Sequence, residues 1–238
     1  MLRERRLHGE DAASALRSLK GRTVNYALPP GRTPAREEGW HVDSLRRPLA
    51  RERPGDPEPG GAWDIACRLV RDYQFPAPGI LRALYRRDDA LLGRNILLEG
   101  RFLGLRFDMG VRITSVTDDL RGTGDTAQRV WGWGYQTLDG HLEEGELLYQ
   151  VIKYPHTGAV EFLITGYSRR AAIRNPVVRA GFVLFGRMTQ CRFYRASADR
   201  LHDLTCAELR GAPPADPQPS PAGRGLVVVP SGSEAVRP

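Results

Sequence analysis

The clearest periodic signal along the chain has a period of two. Leu105, Phe107, Met109, Val111 and Ile113 alternate with Arg106, Asp108, Gly110, Arg112 and Thr114, the pattern of a strand with one dry and one wet face. Ahead of it, Ile96, Leu98, Gly100 and Phe102 alternate with Leu97, Glu99, Arg101 and Leu103, and Leu103-Gly104 reads as a tight turn between the two. Residues 118–126 read as loop. Residues 130–138 then place Trp131, Trp133 and Tyr135 on one face and Gly132, Gly134 and Gln136 on the other. Asp139-Gly140-His141 follows as a hairpin turn. Leu147, Tyr149 and Val151, then Val160, Phe162 and Ile164, predict two more strands around the turn at residues 155–158. Five successive strands with links this short have to be antiparallel, because a parallel pair needs a crossover of about a dozen residues.

Elsewhere the period is helical. Residues 9–20 predict a short helix capped by Asp11, with Ala15, Leu16 and Leu19 on its apolar side. Residues 41–47 alternate weakly and predict a first strand. Ile65, Ala66, Leu69, Val70 and Tyr73 recur at helical spacing. After the break at residues 75–79, Ile80, Leu81, Leu84 and Tyr85 form a second short helical stripe. Asn175-Pro176 supplies the cap and first position of a long helix through residues 177–204. Its first half is apolar nearly all round and its second half is amphipathic.

Prolines and glycines mark residues 28–39 and 53–61 as connectors. From residue 208 the sequence GAPPADPQPSPAGRG reads as a tail unable to pack. The expected organisation is an N-terminal helix and connector over residues 1–39, one domain over 40–207 and a disordered tail over 208–238. The fold class is α+β: a curved antiparallel sheet wrapped around the long C-terminal helix, with two short helices after the first strand. The space between sheet and helix is either filled by side chains or a ligand cavity.

Composition narrows the function classes. Among 238 residues, 35 Lys and Arg oppose 28 Asp and Glu, a net charge of +7. The excess gathers in residues 169–200, which hold eight arginines against one acid, Asp199. That helix could meet anionic membrane or nucleic acid, but a solvated face whose arginine stems lie on apolar neighbours accounts for the same charge. Nucleic acid is therefore not the expected partner, and the oligomeric state is left open. No apolar run reaches the roughly 20 residues of a membrane-spanning helix, and the N-terminus has no apolar signal core. Cys67, Cys191 and Cys206 are too widely spaced for a disulfide framework or a metal pair. The expectation is a cytoplasmic protein without metal, cofactor or transmembrane segment. Residues 122–127 (GTGDTA) match a dinucleotide fingerprint only superficially, since no helix follows them.

Three places could carry chemistry. His141 with Glu143, Glu144 and Glu146 could perform acid–base work or hold a metal, but a hairpin turn followed by a wet strand face is the favoured account of them, with no second His or Cys at ligand spacing. Glu146 becomes a catalytic candidate if it points inward. Trp131, Trp133 and Tyr135 could line a pocket or form a core ladder. Tyr167, Ser168 and Arg169 close a strand before the long helix. Ser168 has no nucleophile elbow around it, and Arg169 could bind an anionic group or pair with Glu146 or Glu161. The catalytic candidates are thus Tyr135, His141, Glu146 and Arg169. An apolar ligand would be walled by Phe107, Met109, Trp133, Tyr135, Tyr149, Phe162, Phe182, Phe185 and Met188.

Residues 94–107, 132–151 and 162–168 resemble a bacterial and plant family, the domain-of-unknown-function family numbered nineteen-ninety. The most specific part is Gly134, Tyr135, Leu138, Gly140, His141, Glu143, Gly145 and Glu146. Leu142 and Arg170 stand where that pattern would have proline. The likeness spans about residues 40–200 and implies no established activity. The element order separately resembles the START-like helix-grip fold, whose members hold apolar small molecules or lipids between sheet and C-terminal helix. That likeness implies a binding module, with an enzyme on the same cavity as the alternative.

Overall fold

The computed structural model describes residues 10–28, 34–102, 105–171 and 176–231. The chain runs through α1 (Glu10–Ser18), β1 (His41–Arg51), α2 (Ala62–Arg71), β2 (Leu81–Arg86), β3 (Asn95–Phe102), β4 (Leu105–Arg121), β5 (Gln128–Thr137), β6 (Glu143–Lys153), β7 (Ala159–Arg170), α3 (Pro176–Leu209), β8 (Gln218–Pro219) and β9 (Leu226–Val229). The described strands form one curved antiparallel sheet in the order β1-β7-β6-β5-β4-β3-β2-β9-β8. It is the α+β helix-grip architecture that the sequence predicts.

Register decides which side chains share the inner face. Trp133 lies opposite Tyr149, Tyr149 opposite Ile164, and Ile164 opposite Leu45, so one row of large side chains crosses β5, β6, β7 and β1. α2 covers this row from β5 and β6, while α3 packs on β1, β7 and α2. Tyr73 and Phe75, just beyond α2, close the row: Phe75 meets Tyr149 at 4.7 Å and Phe162 at 5.4 Å between ring centroids. Trp133 Nε1 donates to the Val70 carbonyl at 3.1 Å, which gives the buried indole N–H a partner at the last turn of α2.

The outer face has its own cover over β2, β3 and β9. Ala12, Ala13, Leu16 and Leu19 pack there with Leu84, Leu97, Leu138, Leu226 and Val228. Gly110 makes this docking possible, because a Cβ at that position would meet Leu19 Cδ2 at 2.4 Å.

Three expectations need correction. The second helical stripe, around Ile80 to Tyr85, is instead β2. Leu81, Ala83 and Tyr85 face the inner cluster while Leu84 joins the outer one, so both faces are apolar and the period of two is hidden. The loop expected from residue 118 begins later, since β4 continues to Arg121 against β5. The tail does not stay unpacked: β9 pairs with β2, and Leu226, Val227, Val228 and Val229 are all buried. β2 would otherwise present bare N–H and C=O groups along a strand apolar on both faces. A lock follows, in which Ser231 N and Oγ donate to Gln74 Oε1 at 2.8 and 2.9 Å. Arg200 adds donations to the Ser231 and Gln74 carbonyls at 2.9 and 3.0 Å. Leu103-Gly104 and Asn175 lie outside the described residues.

Candidate functional site

Alternation along β6 puts Glu143 on the same inner face as Leu147, Tyr149 and Val151. On β1 and β7, Asp43 and Ser168 face the same space. Above them α3 presents Arg187, Gln190 and Tyr194, spaced three and four apart and hence on one helix face. Arg187 grips both carboxylate oxygens of Asp43 and donates to Gln190 Oε1 at 2.7 Å. With its oxygen fixed, Gln190 aims its amide nitrogen at Ser168 Oγ, 2.8 Å away, and at Glu143 Oε2, 3.5 Å away. The result is one hydrogen-bonded chain from β1 through α3 to β6 and β7.

The electrostatics follow from that enclosure. Burial pushes the Glu143 carboxyl up to about 7; Arg187 opposes the shift and Asp43 adds to it. Burial also raises the Tyr194 hydroxyl, and the Glu143 and Asp43 charges raise it further. Deeper in, Tyr149 Oη donates to Tyr135 Oη at 3.4 Å, and burial pushes Tyr135 up to about 12. Tyr73 Oη faces this pair but completes no hydrogen bond of normal geometry.

The residues singled out from sequence divide between the two faces. Trp133, Tyr135, Tyr149 and Phe162 are buried together on the inner face. Met109 is half-buried against the same cluster, and Phe107 is half-buried on β4. Met188 is 62% exposed, which removes it from the wall. Phe182 and Phe185 lie outside the residues whose side chains are described. His141 belongs to the hairpin: its Nδ1 accepts the Glu143 N–H at 2.9 Å, and burial pushes it down to about 4, so the ring is neutral.

Glu146 points outward. It accepts from Tyr167 Oη at 2.8 Å and from Gln136 Nε2 at 3.3 Å, within a cluster that includes Tyr26. Arg169 is outward too. Its ion pair is with Glu144, at 2.7 Å, rather than with Glu146 or Glu161, and its guanidinium lies 4.4 Å over the Trp40 ring. Glu161 is taken by Arg46. Grouping Glu143 with Glu144 and Glu146 as one wet face hides it as the inward carboxyl. Its shared parity with Leu147, Tyr149 and Val151 was the available signal.

Among the described residues, no group of three or more His, Cys, Asp and Glu is placed to hold a metal ion. No helix among them is long and apolar enough to cross a membrane.

Several solved structures have a similar fold at low sequence identity. Norcoclaurine synthase from Thalictrum flavum, in complex with dopamine and hydroxybenzaldehyde, is 13% identical with a TM-score of 0.44, over 79% of this chain and 98% of that one. Ara h 8.0201 is 8% identical with a TM-score of 0.39, over 69% and 99%. Hypothetical protein jhp0584 from Helicobacter pylori is 12% identical with a TM-score of 0.41, over 77% and 98%. No curated protein matches the sequence. The model of the family described as a domain of unknown function, DUF1990, matches residues 23–200, including α2, the inner-face row and the Glu143 cluster, and the chain belongs to that family.

Proposed function

We propose that the chain is a ligand-binding domain holding one small amphipathic or apolar molecule between the inner face of the sheet and α3. One observation carries this reading: a wall of aromatic side chains ends in a converging set of polar groups, with the buried Tyr73 hydroxyl facing the Tyr135–Tyr149 pair but completing no hydrogen bond of normal geometry. Ligand sites combine apolar walls with a few placed polar atoms in this way. An unpaired buried hydroxyl costs about 1–3 kcal/mol, which a polar atom of a ligand would offset. Apolar burial would supply the rest, at about 25 cal/mol per Å². Association of α3 with an anionic surface is less supported, because Arg187 and Arg200 are already engaged within the fold.

Native mass spectrometry of the purified chain before and after organic extraction tests the proposal. A removable mass, or uptake of a small amphiphile with a change in tryptophan fluorescence from Trp133, is the expected result. A protein that carries no ligand and takes up none from a broad panel of apolar and amphipathic compounds would overturn it.

A further inference from the structure

We infer that the polar end of the ligand is an ammonium group and that Glu143 is its counter-ion. The inference rests on the interior being a ligand site and goes further, to the charge of what enters.

The charges within the cluster do not balance. Asp43 and Arg187 neutralise each other through a two-point ion pair. Glu143 is left over: among the described residues, no basic side chain forms an ion pair with it. Arg170, opposite it in register on β7, is exposed. Among the described residues, the one side-chain hydrogen bond to the Glu143 carboxyl is from Gln190, at 3.5 Å, and that amide also donates to Ser168 at a shorter 2.8 Å. Rotating the amide to serve Glu143 otherwise would break the Arg187 contact that holds Gln190 Oε1. Among the described residues the carboxyl therefore keeps unspent lone pairs in a half-buried place under α3, which is costly unless a donor arrives. An N⁺–H donor fits best, since a charge-assisted hydrogen bond is roughly twice as strong as a neutral one.

The surroundings favour the same sign. Tyr135 and Tyr194 lie close enough to Glu143 to feel its charge, and Tyr135, Trp133 and Tyr149 present aromatic faces along the same wall. Such faces attract cations. An anionic head group would instead meet the Glu143 carboxylate, a charge of its own sign.

The test compares three ligands of equal chain length, octylamine, octanol and octanoate, by calorimetry at pH 8 on the full chain. The unaltered protein should bind the amine about tenfold more tightly than the alcohol, the scale of one added charge-assisted contact, and the acid least. Glu143→Gln should bring amine and alcohol to similar affinity, and Glu143→Asp should keep part of the preference. Equal binding of the three by the unaltered protein, or a preference intact in Glu143→Gln, would refute the ammonium assignment and leave the ligand site standing. Failure of the amine to bind would overturn the ammonium assignment, while the ligand site itself stands or falls on the broad panel of compounds. Because the head-group comparison uses the unaltered protein, it decides the matter even if a variant does not fold.

Discussion

Lys153 and Glu52 form an ion pair in the interior, with the lysine side chain fully buried and the glutamate 3% exposed. Lys153 Nζ also donates to the Asp56 carbonyl at 2.7 Å, while Glu52 Oε1 accepts the Trp63 N–H at 2.7 Å in the first turn of α2. The pair thus pins the loop after β1, the end of β6 and the start of α2 to one point. Removing one member leaves an uncompensated buried charge. Lys153→Met should cost about 3–5 kcal/mol in denaturant unfolding. Adding Glu52→Gln, which keeps the capping oxygen, should recover part of that loss. Additive losses in the double variant would show that the two residues are not coupled.

The C-terminal strand is part of the domain energetically. A chain ending at residue 217 loses four buried side chains of β9 and the Ser231 lock, and leaves β2 as an open edge. At about 1.5–3 kcal/mol for each buried Val or Leu, the loss should exceed about 4 kcal/mol, read as a lower denaturant midpoint. Arg200→Ala alone removes the donors to Gln74 and Ser231 and should cost about 1–3 kcal/mol. A truncated chain that melts with the full one would mean that β9 is a passive appendage.

The C-terminal strand marks the limit of what the sequence declares. The strands with one dry face and one wet face, around Phe107 and Trp133, declare themselves through their period, as does the long α3. β2 and β9 do not, because Leu84 and Val228 are buried on the face where an alternating pattern would have polar residues. Leu226 to Val229 is also too short to stand alone, and its partner is about 140 residues earlier in the chain. The candidate site was half legible. Parity places Tyr135 and Tyr149 inward and would have placed Glu143 with them. The contribution of α3 was not readable, since Gln190 acquires its role only when Arg187 fixes its amide.

Arg169 sits on the opposite face of the sheet from Glu143, paired with Glu144 and stacked on Trp40. If the ligand enters beneath α3, Arg169→Ala should leave binding of the amphiphile within about twofold of the unaltered protein. Its stability cost should stay near 1 kcal/mol, as for a partly exposed ion pair and cation–π contact. Loss of binding in a variant with an unchanged melting temperature would move the site to the outer face.

His141 and Glu143 are joined by one backbone hydrogen bond and pull the pH dependence of stability in opposite directions. His141 titrates near 4 in the folded chain against an ordinary 6.5. The unfolded chain therefore holds the extra proton between those values, and stability rises with pH across that window. Glu143 titrates near 7 against an ordinary 4.5. Here the folded chain holds the extra proton, and stability falls as pH rises from 4.5 to 7. Where the windows overlap, between 4.5 and 6.5, the two slopes cancel. Among the described residues, Asp43 on β1, Arg170 on β7, Arg187 and Tyr194 on α3 and Tyr135 on β5 are the other charged or titratable groups around Glu143, and they are common to all variants compared. His141→Asn should therefore expose a stability that declines with pH, at up to about 1.4 kcal/mol per pH unit. Glu143→Gln should expose a rise of similar steepness, and the double variant should be flat again. Unfolding free energies measured at half-unit steps from pH 4.5 to 7 check this. Parallel curves for the two single variants would show that neither group is held away from its ordinary titration by the fold.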